Sequence, residues 1–200
     1  MARLSREESK ERTRERLLEA ARQVFARAGY GGASVDAVAE TAGFSKGAFY
    51  AHFGSKEAVF LELLDQHIEE DLRTGTALLD NTDDFETAVD GLVARYATDR
   101  KDQDWCLLAV EFALHAARST SFAAAYTDLC ARHYAGLARI LDRLAVLGDR
   151  RIANAALAAA KFVAFRRGLA LDRGSHQPRL SQNDVRTSLR SFLLKVLSPK

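Results

Sequence analysis

Residues able to grip a phosphate or move a proton are spread unevenly along the chain. His115, His133, Cys106, Cys130, Glu111 and Asp128 offer acid, base and nucleophile types, but no two of them stand at a recognised catalytic spacing. Cys130 and His133, at i,i+3, share one helical face and read more simply as a packed pair. The two cysteines lack any CxxC or metal-ligand spacing, so neither a metal nor a cofactor is expected, and a reducing compartment is the natural setting. The concentrated signal lies earlier, between Ser34 and Phe53, where two short segments meet at Gly43-Phe44-Ser45. Two short helices joined by a tight glycine turn can place the second helix in a major groove about 12 Å wide. Ser45 and Lys46 then fall at the start of that second helix, where free backbone N–H groups favour phosphate.

The flanking elements must hold such a reader. Leu17, Leu18, Ala21, Val24, Phe25 and Ala28 recur at helical spacing, with Ser5 and Glu8 as a capping box and Gly29 as a stop. Ser34 caps a second helix whose apolar face is Val35, Val38, Ala39 and Ala42, and Gly43 is suited to positive φ. Phe44, Phe49 and Phe53 read as core. Ser55 opens a long helix through Phe60, Leu64, Ile68 and Leu72. Further helices are expected from about Asp84 to Thr98 with Asp83 and Glu86 as its box, from Trp105 to Ala116, from Ser119 or Ser121 to Leu147, from Asp149 to Leu171, and from Ser181 to Val196. With no strand pattern, the prediction is an all-α protein of about nine helices, divided into a helix-turn-helix domain over 1–54 and a larger helical domain over 55–200.

Residues Arg16 through Phe60 resemble the TetR/AcrR family of bacterial regulators. The likeness runs in order through Leu17-Leu18-Glu19-Ala20-Ala21, Val24-Phe25, Gly29-Tyr30, Ser34-Val35, Val38-Ala39, Ala42-Gly43, Ser45-Lys46-Gly47, Phe49-Tyr50, His52-Phe53 and Ser55-Lys56-Glu57. Ala51 departs from the family pattern, which often has a bulky or polar residue there. The resemblance implies a homodimeric repressor that reads a roughly palindromic double-stranded DNA operator. It implies DNA contacts at Thr41, Ser45, Lys46, Gly47, Tyr50, His52 and Lys56. Tyr50, His52 and Lys56 would meet phosphates, Lys46 a phosphate or a guanine edge, and Gly47 would permit close approach.

Behind the reader, bulky residues stand among alanine-rich helices: Tyr96, Trp105, Phe112, His115, Phe122, Tyr126, Phe162, Phe165 and the cationic Arg166. Scattered rings with a few polar atoms can line a cavity, and the resemblance implies that a small-molecule effector bound there loosens the DNA grip. Ordinary core packing is the alternative for each ring. The last two helices, with Ile152, Ala156, Ala159, Ala160 and Val163 on one and Val185, Leu189, Phe192 and Val196 on the other, resemble the family's dimer interface.

Composition narrows the field further. Hydrophobic residues make up 48% of the 200 and charged residues 28%, with two prolines, as expected of a folded, helix-rich chain. The formal charge of +2 does not itself point to nucleic acid, and Glu7, Glu8, Glu11 and Glu15 interleave the basic N-terminus into a solvated helix face. No signal peptide or membrane span is expected, which makes the cytoplasm the simplest location. An enzyme is not expected; the competing reading is a helical small-molecule-binding protein or enzyme that does not read DNA.

Overall fold

A computed structural model describes residues 5–97, 100–175 and 177–199. Among them nine helices run in the order α1 (Arg6–Gly32), α2 (Val35–Ala42), α3 (Lys46–His52), α4 (Lys56–Asp80), α5 (Phe85–Ala97), α6 (Arg100–Ala116), α7 (Thr120–Leu147), α8 (Ala155–Arg173) and α9 (Gln182–Val196). Short polar side chains start most of them. Ser5 and Glu8 form a reciprocal box, Ser34, Ser45 and Ser55 accept from the third backbone N–H of their helices, and Ser181 pairs with Asp184.

Several expectations need adjustment. Gly29 bends α1 rather than ending it: its φ is 70° and the helix resumes to Gly32. Asp84, not Asp83, caps α5, its carboxylate accepting the Thr87 N–H at 2.8 Å. The polar stretch before Trp105 is helical from Arg100, and Asn154, not Asp149, caps α8. Between α7 and α8, Arg150–Arg151 (β1) pairs antiparallel with Ser198–Pro199 (β2), tethering the C-terminal segment. A two-residue ladder is too short to leave an alternating pattern in sequence.

Two apolar cores result. One gathers α1, α2, α3 and the first half of α4 around Phe25, Phe49 and Phe60, and extends into α6 through Trp105, Leu108 and Phe112. The other joins α5, α7, α8 and α9 around Leu92, Leu144, Phe162 and Leu189. Phe49 and Phe53 are buried as expected, whereas Phe44 is half-buried beneath the Arg16 guanidinium, 4.7 Å from its ring centre. The stripe expected to face a second subunit is divided. Ala159, Val163, Val185 and Leu189 are buried within the subunit, because α8 and α9 close against α5, α6 and α7. The outward face of α8 carries Ala156 of that stripe together with Leu157, Ala164, Gly168 and Leu171.

Candidate nucleic-acid interface and ligand cavity

α3 is too short to hold itself together, so its geometry comes from its neighbours. Phe49 is 1% exposed and packs edge-on against the rings of Tyr50 (5.5 Å) and tilted against Phe53 (5.6 Å). Gly43, at φ 72°, closes α2, with its N–H and that of Phe44 returning to the last carbonyls of the helix. The Arg16 guanidinium donates to the Ala42 carbonyl at 2.9 Å, fastening the turn to α1. Arg14 reaches α4 through Glu62 at 2.5 Å and lies over the Phe53 ring. Sequence reasoning assigned neither arginine a role: both fall outside the buried stripe of α1, and only the folded turn gives them partners.

This scaffold leaves Thr41, Ser45, Lys46, Gly47 and Tyr50 exposed on the end of α2, the turn and α3, Tyr50 by 51%. Ala51 is exposed beside them. The Lys46 ammonium meets Asp36 at 2.9 Å, an exposed pair that favours the charged amine first by hydrogen bonding and then by Coulomb attraction. His52 is half-buried, with Nδ1 enclosed and without a hydrogen-bond partner. Lys56 turns inward. Its ammonium donates to the carbonyls of Tyr30 and Ala33, both at 2.9 Å, and stands 4.4 Å from the Tyr30 ring centre. It therefore caps the end of α1 and the α1–α2 link.

Four helices line a partly open cavity of about 50 Å³ in the larger part of the chain. α4 supplies Leu64, His67, Ile68 and Asp71; α6 supplies Trp105, Cys106 and Ala109; α7 supplies Tyr126, Cys130 and His133; α8 supplies Val163, Arg166 and Arg167. Of the rings and charges expected there, Trp105, Tyr126 and Arg166 line it. The others pack elsewhere. Phe112 is fully buried, stacked on Phe60 at 4.6 Å and edge-on to Tyr30 at 5.0 Å, and His115 lies beside Tyr30 and 3.5 Å from Glu57. Tyr96 and Phe162 meet edge-on, and Phe165 stacks on Phe192, all in the second core. Phe122 is half-buried and off the cavity. Helix rotation decides which ring faces a void, and residue type does not carry that information.

The cavity's polar groups were the harder part to foresee. Asp71 is 2% exposed and lies 2.8 Å from Arg95 and 3.5 Å from Arg166. The signal was available: Leu64, Ile68, Asp71 and Gly75 follow helical spacing, so an acid stands in the apolar stripe of α4. His133 is held as a neutral imidazole, its pKa pushed down to about 3 by burial and then by Arg166, Arg167 and His67. Burial pushes the Tyr126 phenol up to about 12. Its hydroxyl donates to the Ala109 carbonyl and accepts from Arg167, each at 3.3 Å.

Comparison with known proteins places this geometry. The family model described as bacterial regulatory proteins, tetR family, matches residues 17–63. A crystal structure of a transcriptional regulator from Rhodococcus sp. Rha1 superposes with a TM-score of 0.70 at 26% identity, over 92% of this chain and 95% of that one. Residues 17–63 carry the conserved region of the tetR family. Over 51 residues the chain is 49% identical to the transcriptional repressor AcnR of Corynebacterium efficiens, spanning 26% of this chain and 27% of AcnR. A 56-residue stretch is 43% identical to the transcriptional activator FasR of Mycolicibacterium smegmatis, spanning 28% of this chain and 26% of FasR. The matches thus span about a quarter of the length of these two regulators. Among the described residues, no helix is long and apolar enough to cross a membrane.

Proposed function

We propose that this protein is a non-catalytic transcriptional regulator: a homodimer that holds a roughly palindromic operator through paired α3 helices, represses transcription, and lets go when a small molecule fills the four-helix cavity. The observation that carries the reading is the contrast across α3, where Phe49 is sealed in the core while Ser45, Lys46, Gly47 and Tyr50 are exposed to solvent. A helix fixed from behind by neighbours presents its outer side chains in one geometry, which is what reading base edges demands. Thr41, Ser45, Lys46, Gly47 and Tyr50 are the contacts proposed, with His52 at the rim. Lys56 acts from within, by holding the link that positions α2.

Dimerisation is assigned to the outward face of α8, where small residues allow close helix approach and Leu157 is half exposed. Pairing two readers supplies both register and avidity. Release is assigned to α4 and α6, which each touch cavity and reader: α4 through Leu64 and Phe60, α6 through Ala109 and Phe112. Converting a 1:99 mixture of the two forms to 99:1 needs about 5.5 kcal/mol of preferential ligand binding.

Selection from a random duplex library by purified protein at about 150 mM salt tests the reading, since phosphate contacts alone give salt-sensitive but sequence-blind binding. An enriched palindrome is expected. A folded dimer that enriches no sequence rejects the proposal, and a reporter that falls silent without the protein rejects repression in favour of activation.

A further inference from the structure

We propose that the four-helix cavity is built for a small organic monocarboxylate, held by Arg167 and His133 at its charged end and by Leu64, Ile68 and Val163 along its carbon body. The inference rests on the effector-cavity reading above and adds the chemical class of ligand.

Charge comes first. One carboxylate, Asp71, faces two guanidiniums, Arg95 at 2.8 Å and Arg166 at 3.5 Å. Arg167 adds a third guanidinium, which donates to the Tyr126 hydroxyl at 3.3 Å and also meets the Cys130 side chain, both uncharged partners when protonated. Since arginine stays protonated and Tyr126 is a neutral phenol, this cluster carries surplus positive charge within a partly dehydrated wall. A neutral oxygen compensates a guanidinium less well than a carboxylate does, because charge-assisted pairs are roughly twice as strong as neutral hydrogen bonds.

A second, independent feature points the same way. His133 Nε2 is buried and has no hydrogen-bond partner. Such a group costs stability unless something completes it. The neutral imidazole can donate one N–H, so a ligand oxygen that already takes a hydrogen bond from Arg167 can satisfy it too. A cation is disfavoured by the arginines, and the Trp105 face is already covered by the His67 ring, stacked at 4.9 Å and 15°. The apolar wall and a volume of about 50 Å³ favour a compact acid over a long acyl chain or a strongly hydrated dianion.

Calorimetric titration of the full-length protein decides it, with acetate, butanoate, 3-methylbutanoate, hexanoate and benzoate as probes beside the amide and the amine of each carbon skeleton. At least one acid should bind, with its amide and amine about tenfold or more weaker. Arg167→Gln should erase that preference while keeping the melting temperature, and Arg167→Lys should restore part of it. Should Arg167→Gln fail to fold, His133→Asn is expected to weaken the acid and leave the amide unchanged. No acid binding, equal binding of acid and amide, or a preference that survives these substitutions overturns the inference. Operator affinity is read in parallel: an acid that binds with full preference yet leaves the operator untouched upholds the cavity's chemistry and removes only the proposed release.

Discussion

The Glu111 carboxylate of α6 accepts the backbone N–H of Tyr30 at 2.8 Å, and the same oxygen takes the Gly31 N–H at 3.2 Å. The contact joins a helix that lines the cavity to the bend of α1 that supports the reader. It depends on Gly29, whose φ of 70° turns those N–H groups toward α6, and where a Cβ would lie 2.8 Å from a Glu111 oxygen. α6 therefore touches both the cavity and the core behind α3, as α4 does.

Removing the carboxylate should loosen this joint specifically. Glu111→Ala is expected to cost about 1 kcal/mol of stability, at the lower end for a charged acceptor because the site is partly exposed. Amide exchange should quicken at Tyr30 and Gly31 before it does in the core of α4. Unchanged exchange at those two amides would show that the carboxylate does not hold the bend.

Lysines 46 and 56 are expected to separate cleanly. Lys46 is exposed, and Lys46→Met should lower the slope of log affinity against log salt by about one, leaving the melting temperature near wild type. Asp36→Asn, which frees that ammonium, should strengthen binding. Lys56→Met should keep the salt slope and cost about 1–3 kcal/mol of stability, because two carbonyls lose their donor. Matching salt slopes for the two lysine variants would place Lys56 on DNA after all.

The helices were largely legible because their starts are chemical: Ser34, Ser45 and Ser55 each do what a short hydroxyl at an N-cap does. The exposed side of α3 was legible from period, which distinguishes an outward Tyr50 from a buried Phe49; a partner for that side is implied only by the family resemblance. Cavity residues were harder. Phe112 and Trp105 stand seven apart on one helix with the same apolar character, yet one stacks on Phe60 and the other lines the cavity. That difference arises from how α6 crosses α1 and α8, a tertiary fact. The inward contacts of Lys56 were illegible for a related reason: an amine after an N-cap looks solvent-bound until the end of α1 folds back to meet it.

His133 makes stability fall with acid. Its folded pKa, pushed down to about 3, lies below the usual histidine value near 6.5, so the unfolded chain takes a proton that the folded chain refuses. Its contribution is intact above about pH 6.5 and is lost as pH drops from there toward 3, by roughly 1.4 kcal/mol per unit once well inside that window. Urea unfolding at about pH 7 and about pH 5 should show the loss, and His133→Gln should flatten it. An equal pH slope in the variant would assign the acid sensitivity to other groups.

Leu157 gives the sharpest test of assembly. It is 50% exposed on α8, where Ala156, Ala164 and Gly168 leave the helix surface shallow enough for a second helix to approach. In a two-fold interface any residue near the axis meets its own copy, so Leu157→Asp would set two carboxylates against each other in a dehydrating contact. The subunit itself should tolerate the change, because the residue lies outside both cores. Sedimentation velocity should show the variant as a monomer with wild-type helix content. Operator affinity should fall about a hundredfold or more, since two linked readers exceed one by that order. A variant that stays dimeric would move the interface off this face of α8, whereas a monomer with undiminished affinity would mean that one reader suffices.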